Sequence, residues 1–391
     1  MRRMTRLFPI VCGLVCAVLL SCLAPHGVRA AGTYNVGFRT LGFWGGERGL
    51  RFDINVWYPT IRREKDFQYG IWTLYGARNG KAVEGRFPLI LVSHATSGTR
   101  YTYHDTCYAL AARGFVVAAL THPHDCMDNM DHIFTWKQLS TRVEELSAAI
   151  GVLGDDRDIS VSIDMNRIGV LGFGSGGAAA LLLGGALPNC TGWSGYCNEV
   201  LENDIYCNSW THEKMQAMCG AFPLQKSLAD TRIRAVAIAQ PAYAMLFRGD
   251  ALKYFHPPLL VLAADSDTIQ LRRRDAEAIV GALPETAVFE PLKGADMGAL
   301  MSSCPESLAV ELPELCRSVS GQQRAAIHDT MHDELESFFL KYLGDVDNLP
   351  HIPPPPDLAP AAVRKDAPAQ DTGKGRQPAR GRARQSGKGR P

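Results

Sequence analysis

The sequence predicts an α/β fold with a mostly parallel central sheet flanked by helices, a cysteine-rich insertion and a basic C-terminal tail. Two observations favour this class. Short, continuous apolar runs alternate with helical patterns from about residue 50 onward, and runs of this length suit strands that are covered on both faces. The β-α-β alternation itself favours a parallel sheet with helices packed against it.

The predicted strands are apolar runs bounded by polar residues or glycine. They are Phe52–Tyr58, Leu89–Ser93, Phe115–Leu120, Ile168–Leu171, Ala235–Ala239, Leu259–Ala263 and a short strand near Ala287–Leu292. The predicted helices include Tyr103–Arg113, Trp136–Leu153, Asp275–Leu283 and, at the end, about Gln322–Leu343. The last helix places Ile327, Met331 and Leu335 on one face, so we expect it to dock on the sheet.

The N-terminus predicts export. Three arginines in residues 1–6 precede an apolar run, and a small-residue cleavage pattern follows before Ala31, which is typical of a signal peptide spanning residues 1–30. The run is short for a membrane-spanning helix and no second span follows it, so we expect a periplasmic or secreted protein. A lipoprotein signal ending at Cys22 is the alternative.

The C-terminus has a different composition from the predicted domain of residues 31–350. Residues 351–391 contain almost no bulky apolar side chains, so they are predicted to be disordered. Residues 361–391 carry nine Lys and Arg against two Asp, although the whole chain has a net charge of only +1. Such a tail either contacts anionic surfaces or serves as a solvated tether.

The cysteines favour disulfides over metal thiolates. Three of the eleven lie in the predicted leader, and no C-x-x-C pair occurs among the other eight, an even number that suits an exported chain. A bridge between Cys304 and Cys316 is predicted, with further bridges among residues 190, 197, 207 and 219, which lie in an insertion over about 188–226. The partners within that group, and those of Cys107 and Cys126, stay open at this point.

The stretch GVLGFGSGG, residues 169–177, predicts a strand, a tight turn and a helix. Such a turn is found in dinucleotide-binding folds, G-x-G-x-x-G, and in the nucleophile elbow, G-x-S-x-G. The dinucleotide interpretation lacks a second strand ending in an acid about 20 residues later. The elbow fits its surroundings better, because SHATSG follows an early strand, AADSDT follows a late strand, and GADM follows the next.

These ordered segments resemble the predicted dienelactone hydrolases of the α/β-hydrolase superfamily, which are related to platelet-activating-factor acetylhydrolases. The likeness spans about residues 33–344 and includes the motifs WYP, SHATSG, HP after the next strand, IGVLGFGSGG, AADSDT and GADMGALMSSC, and also QRAAIH after Cys316. The resemblance implies an α/β-hydrolase fold, carboxylic-ester chemistry and no cofactor.

The catalytic residues of that family do not carry over. The gapless match of V-L-G-H-S-F-G-G places Gly174 at the nucleophile position, and the histidine position of G-A-G-H-F holds Met297. Asp267 occupies the position of the acid. The glycine-rich oxyanion segment reads His94-Ala95-Thr96-Ser97.

The sequence therefore predicts a hydrolase fold that is catalytically impaired, because glycine has no hydroxyl and methionine cannot accept a proton. A role in binding a small molecule, a lipid-like ligand or a protein is expected, with His94, Ala95, Thr96 and Ser175 lining the cleft. We expect Ser175 to cap the following helix. The alternative is an active carboxylic-ester hydrolase that uses Ser175 as nucleophile with a relocated base, for which His122, His256 and His328 are the available imidazoles.

The segment from His122 to His132 is dense in His and Asp, and a divalent-metal site there is a further alternative. The competing interpretation is a polar loop with Cys126 in a disulfide. No metal, other cofactor or nucleic-acid partner is otherwise expected.

Overall fold

Ten strands pair into one sheet in the computed structural model, which describes residues 34–45, 49–200, 204–221, 227–268, 275–283 and 287–344. The strands are β1 (Asn35–Gly45), β2 (Leu50–Thr60), β3 (Lys65–Tyr69), β4 (Trp72–Arg78), β5 (Phe87–Ser93), β6 (Val116–Leu120), β7 (Ile163–Phe173), β8 (Ile233–Ala239), β9 (Leu259–Ala264) and β10 (Ala287–Leu292). Their order is β10-β9-β8-β7-β5-β6-β2-β1-β4-β3. The predicted leader and tail lie outside the described residues.

The helices join these strands and cover both faces of the sheet. They are α1 (His104–Ala112), α2 (Trp136–Asp155), α3 (Ser175–Leu183), α4 (Thr191–Glu199), α5 (Ser209–Ala221), α6 (Ala276–Ala282), α7 (Glu306–Glu311), α8 (Pro313–Cys316) and α9 (Gly321–Leu343). Short 3-10 turns span Ser160–Ser162, Ala244–Phe247 and Gly249–Leu252. The predicted α/β class, with its mostly parallel sheet, is confirmed.

Two apolar layers sandwich the sheet because successive side chains of a strand point to opposite faces. In β5, Leu89 and Leu91 pack into the layer formed with α2 and α3. Ile90 and Val92 pack into the other layer, with α1 and α9. Strands β5 to β10 pair in parallel, so their carboxyl ends meet at one edge.

Three of the N-terminal strands, β1, β3 and β4, were not predicted. Strand β1 pairs antiparallel with β2 along its whole length and in parallel with β4, and β3 closes the edge as a hairpin with β4. These strands alternate in burial or are partly exposed, so they lack the continuous apolar run that marks the central strands.

In the described part of the insertion, two disulfides hold the helices α4 and α5. Cys190 bonds Cys219 and Cys197 bonds Cys207, and the predicted bridge between Cys304 and Cys316 is present. The suggested disulfide at Cys126 was wrong, because Cys107 and Cys126 are buried free thiols. In the described part of the chain, no helix is long and apolar enough to cross a membrane.

Candidate functional site

The turn between β7 and α3 has the shape of a nucleophile elbow. Gly174 lies at its apex with φ 53° and ψ −118°, a left-handed conformation that glycine adopts without the steric cost of a side chain. A Cβ at Gly172 would lie 2.2 Å from the Gly176 carbonyl oxygen, and one at Gly176 would lie 2.1 Å from the Ser93 carbonyl oxygen. Glycine at both positions lets the strand, the helix and β5 approach this closely.

The space beside the apex holds apolar groups. A Cβ at Gly174 would lie 2.9 Å from the Ala95 Cβ and 3.5 Å from the Met297 Cε. The Tyr103 hydroxyl lies 4.0 Å from the Met297 sulfur, and the Tyr103 ring stacks on Phe173 with centroids 3.6 Å apart. The apex therefore faces a methyl and a thioether.

Asp267, at the position of the acid, is hydrogen-bonded to Met297 beside the apex. Asp267, which is 8% exposed, accepts a hydrogen bond from the Met297 backbone N–H at 3.0 Å through Oδ2. The loops after β5, β7, β9 and β10 thus converge at the carboxyl edge of the sheet, as expected for parallel strands. This convergence brings Ala95, Gly174, Asp267 and Met297 together.

Ser175 is buried in the first turn of α3. The Thr96 hydroxyl donates a hydrogen bond to the Ser175 Oγ at 3.0 Å, and the Gln138 amide donates to the Thr96 Oγ1 at 3.0 Å. The expectation that Ser175 caps α3 was wrong, because its hydroxyl bonds Thr96 instead. Among the described residues, no imidazole is within hydrogen-bonding distance of Ser175.

Both ring nitrogens of His94 are hydrogen-bonded. Its Nδ1 lies 2.7 Å from the Ala95 carbonyl oxygen, and its Nε2 accepts from the His122 backbone N–H at 3.1 Å. Burial, together with the charge of Arg142, lowers the pKa of His94 well below its ordinary value. This neutral ring fixes the loop 94–97 against the strand that ends before His122.

Beneath that loop lies a buried ion pair that sequence reasoning missed. The Arg142 guanidinium, whose side chain is 1% exposed, donates to the Asp125 Oδ2 from Nε at 2.9 Å and from an Nη atom at 2.6 Å. Its other Nη atom donates to the His94 carbonyl oxygen at 2.6 Å. The Gln138 amide also donates to the Asp125 Oδ2, at 2.7 Å. Arg142 therefore ties α2 to the loop beside the elbow.

A serine, a histidine and a glutamate form a chain next to this pair. The Ser93 Oγ lies 2.8 Å from the His122 Nε2, and the His122 Nδ1 lies 2.6 Å from the Glu145 Oε2. Burial raises the pKa of Glu145 to about 8 and, with the charge of Arg142, lowers the pKa of His122 well below its ordinary value. Ser93 is fully buried under Gly176, so this chain supports the loop and offers no accessible nucleophile.

The sequence did contain a signal for this network. Gln138, Arg142 and Glu145 follow one another at spacings of four and three residues in α2, which places them on one helix face. Buried Leu139, Leu146 and other apolar residues interleave with them. Three large polar side chains on a face adjoining the core require buried partners, and that requirement predicts such a network.

His328, one of the imidazoles considered as a relocated base, makes contacts that join parts of the fold. Its Nδ1 lies 2.8 Å from the Asp105 Oδ2 and its Nε2 lies 2.9 Å from the Ala299 carbonyl oxygen. Although burial opposes ionisation, the hydrogen bond and charge of His328 hold the pKa of Asp105 below its usual range. These contacts join α1, α9 and the loop that follows Met297.

The loop 122–132 does not assemble a metal centre in the structure. The His124 and His132 rings stack with centroids 4.4 Å apart, while His122 points inward to Ser93 and Glu145. No group of three His, Cys, Asp or Glu side chains placed to hold a metal ion occurs in the described ranges.

Two comparisons with known proteins bear on the fold. The family model for platelet-activating factor acetylhydrolase, isoform II, matches residues 74–145, a segment that contains the loop 94–97, Asp125 and Arg142. The solved structure of a ferulic acid esterase from Streptomyces cinnamoneus is similar with a TM-score of 0.54 and 14% identity, covering 82% of this chain and 92% of the esterase. The chain thus shares the α/β fold of this esterase, and its match to the acetylhydrolase family model runs from β4 into α2.

Proposed function

We propose that this protein is a binding protein built on a hydrolase fold, and that it does not hydrolyse esters at the elbow. The observation that carries the proposal is the apex itself, where Gly174 faces the Ala95 methyl and the Met297 thioether. Acyl transfer at this place would require a hydroxyl nucleophile and an imidazole base. Removing such groups lowers the rate by about 10⁴- to 10⁶-fold.

The remaining groups support binding better than catalysis. Asp267 bonds a backbone N–H, and Ser175 is fully buried with Thr96 as its hydrogen-bond donor. The partly buried Ala95, Thr96 and Met297 and the exposed Ser97 form the surface above the apex. A small molecule, a lipid-like ligand or a protein segment that contacts this surface would meet methyl, thioether and hydroxyl groups.

We further propose that the protein is exported. Residues 1–30 have the composition of a signal peptide, and three disulfides are compatible with an oxidising compartment.

The experiment that tests the proposal uses the full chain, short-chain aryl esters and a fluorophosphonate probe. We expect no turnover and no labelling above those of the Ser175→Ala variant. Stoichiometric labelling of Ser175 in the wild type, absent in the variant, would show that the protein is an esterase with a displaced nucleophile.

A further inference from the structure

A strongly basic cavity lies at the sheet edge formed by the N-terminal strands. Its volume is about 450 Å³, and six cationic side chains and one acidic side chain line it. The cations are Arg39, Arg62, Arg63, Lys65, Arg78 and Lys81, and the acid is Asp158. We call this place the basic pocket.

The topology brings these cations together from distant strands. Strand β4 pairs with β1 at Phe38 and Arg78, and β3 pairs with β4 from Lys65 to Tyr69. Arg62 and Arg63 lie in the connection from β2 to β3, and Lys81 follows β4. The pocket is therefore a product of the edge hairpin, which adds two strands to the sheet beyond β1.

Most of the positive charge in the basic pocket is uncompensated. Arg39 pairs with Asp158 at 2.5 Å, and Lys81 pairs with Glu84 at 3.4 Å. Arg62, Arg63, Lys65 and Arg78 have no carboxylate within 4.0 Å among the described residues. Like charges gathered without counter-ions raise the free energy of the empty site, and a bound anion relieves this repulsion.

Glu64, which lies between Arg63 and Lys65 in the sequence, does not neutralise the cations of the basic pocket. The Glu64 carboxylate accepts hydrogen bonds from the Val36 backbone N–H at 2.8 Å and from the Tyr108 hydroxyl at 3.0 Å. These donors hold it against α1, while the flanking Arg63 and Lys65 are exposed.

We propose that the basic pocket binds an anion carrying two or more phosphate groups. Guanidinium groups offer paired N–H donors that match phosphate oxygens, and lysine adds a point charge. Four uncompensated cations exceed what one phosphate group balances. The volume is within the range of small-ligand sites. The phosphates belong to a soluble organic phosphate or to lipid headgroups, and the side chain of Ile61, 85% exposed beside Arg62, makes the second source worth a separate measurement.

The test measures binding of inositol hexakisphosphate to the full chain by titration calorimetry at low ionic strength, where screening is weak. We expect saturable binding at one site. The combined variant Arg62→Gln, Arg63→Gln and Arg78→Gln should weaken it at least about tenfold, because each charge-assisted hydrogen bond contributes on this scale. The single variant Arg63→Glu provides a second measurement if the triple variant fails to fold.

The matched control removes three charges from the C-terminal tail, as Arg380→Gln, Arg382→Gln and Arg384→Gln. It should leave the affinity unchanged. Equal weakening by both variants, or no saturable binding by the wild type to either phosphate source, would overturn the proposal.

A parallel arm uses vesicles of phosphatidylcholine with and without phosphatidylglycerol. Binding to the anionic vesicles that the pocket variant loses, without binding to the soluble probe, would assign the phosphates to lipid. The reverse pattern would assign them to a soluble ligand.

Discussion

Because Gly174 has no side chain, the apex of the turn carries no nucleophile. The neighbouring Ala95 leaves little room for one. A serine there would bring its Cβ to 2.9 Å from the Ala95 Cβ, which is closer than such atoms approach. A serine at residue 174 and an alanine at residue 95 therefore do not fit together in this backbone.

The contact between residues 95 and 174 predicts which substitutions are needed together for ester hydrolysis. Gly174→Ser with Met297→His should remain inactive, because Ala95 clashes with the Cβ that carries the new hydroxyl. Adding Ala95→Gly removes the obstruction and should raise aryl-ester turnover by about 10²-fold over the double variant, because only then can the hydroxyl reach the position where the new imidazole acts as its general base. Asp267, already 3.0 Å from the backbone of residue 297, is placed to orient the new imidazole. Steady-state kinetics with the Asp267→Asn version as control would measure the gain, and equal rates for the double and triple variants would contradict the steric argument.

The serine substitution alone should also lower stability. The new side chain adopts φ near 53° and contacts Ala95, which together cost about 1–3 kcal/mol in the free energy of unfolding. Urea unfolding of Gly174→Ser, with and without Ala95→Gly, measures this cost. A smaller cost in the Ala95→Gly background is expected, and an identical cost would show that the backbone angle alone is responsible.

Glu145 predicts a pH dependence of stability. Its folded-state pKa, raised to about 8 by burial, lies above that of an unfolded chain, about 4.3. The protonated form is favoured by folding, so this contribution is complete at low pH and is lost as the pH rises towards 8. The melting temperature of the wild type should therefore fall relative to Glu145→Gln between pH 5 and pH 8.

The adjacent, partly buried Glu144 supplies the control for this measurement. Glu144→Gln measures how far removal of a neighbouring carboxylate in α2 changes the melting temperature over the same range. A difference between the wild type and Glu145→Gln that does not change with pH would mean that the Glu145 carboxyl is already ionised at pH 5 in the folded protein.

Among the elements, the central strands were predictable because both their faces are buried. Their apolar runs, such as Leu259–Ala263, coincide with the observed strands within a few residues. Strands β1, β3 and β4 were missed because their half-exposed faces mix polar and apolar residues. The order of the strands, and with it the basic pocket, depends on pairing between strands that are far apart in the sequence. No local sequence pattern encodes such pairing.

The candidate site was predictable in part. The gapless match indicated which residues stand at the elbow, and the structure places Gly174, Met297 and Asp267 together. Arg142 was missed because periodicity alone treats an arginine within a helix as a solvated residue. Its burial follows from the partners supplied by another segment, at Asp125 and the His94 carbonyl.

Helix α2 therefore depends on its buried arginine. Arg142→Met would leave the Asp125 carboxylate without its guanidinium, and breaking a buried pair from one side costs about 3–5 kcal/mol. Asp125→Asn added to this variant should recover part of the loss, because no buried charge then remains. Urea unfolding measures both effects.

Arg86 offers a matched comparison. It pairs with Asp164 at 3.2 Å through a side chain that is 69% exposed, so Arg86→Met should cost about 1 kcal/mol or less. Equal losses for the two arginines would mean that the buried network adds nothing beyond an ordinary surface pair.

For the whole molecule, the proposed export and the cysteine pattern are linked. Cys190–Cys219 and Cys197–Cys207 hold the α4–α5 insertion, a region with few buried side chains of its own. A disulfide that closes a loop of this size contributes about 2–4 kcal/mol. The insertion should therefore loosen before the sheet when the bridges are reduced.

This predicts that protein produced in a reducing compartment, or treated with dithiothreitol, is cleaved by protease between residues 190 and 219 while the sheet stays intact. Cys190→Ala with Cys219→Ala should show the same cleavage without reductant, and Cys107→Ala, which alters a buried free thiol, should not. Alkylation of the unreduced protein in denaturant should label only Cys107 and Cys126 among residues 31–391, because the other six cysteines of that range are in disulfides. Resistance of the reduced insertion to protease would show that its contacts with α2 and the Ala244–Phe247 turn are sufficient to keep it folded. The disulfides would then give no support to the proposed export.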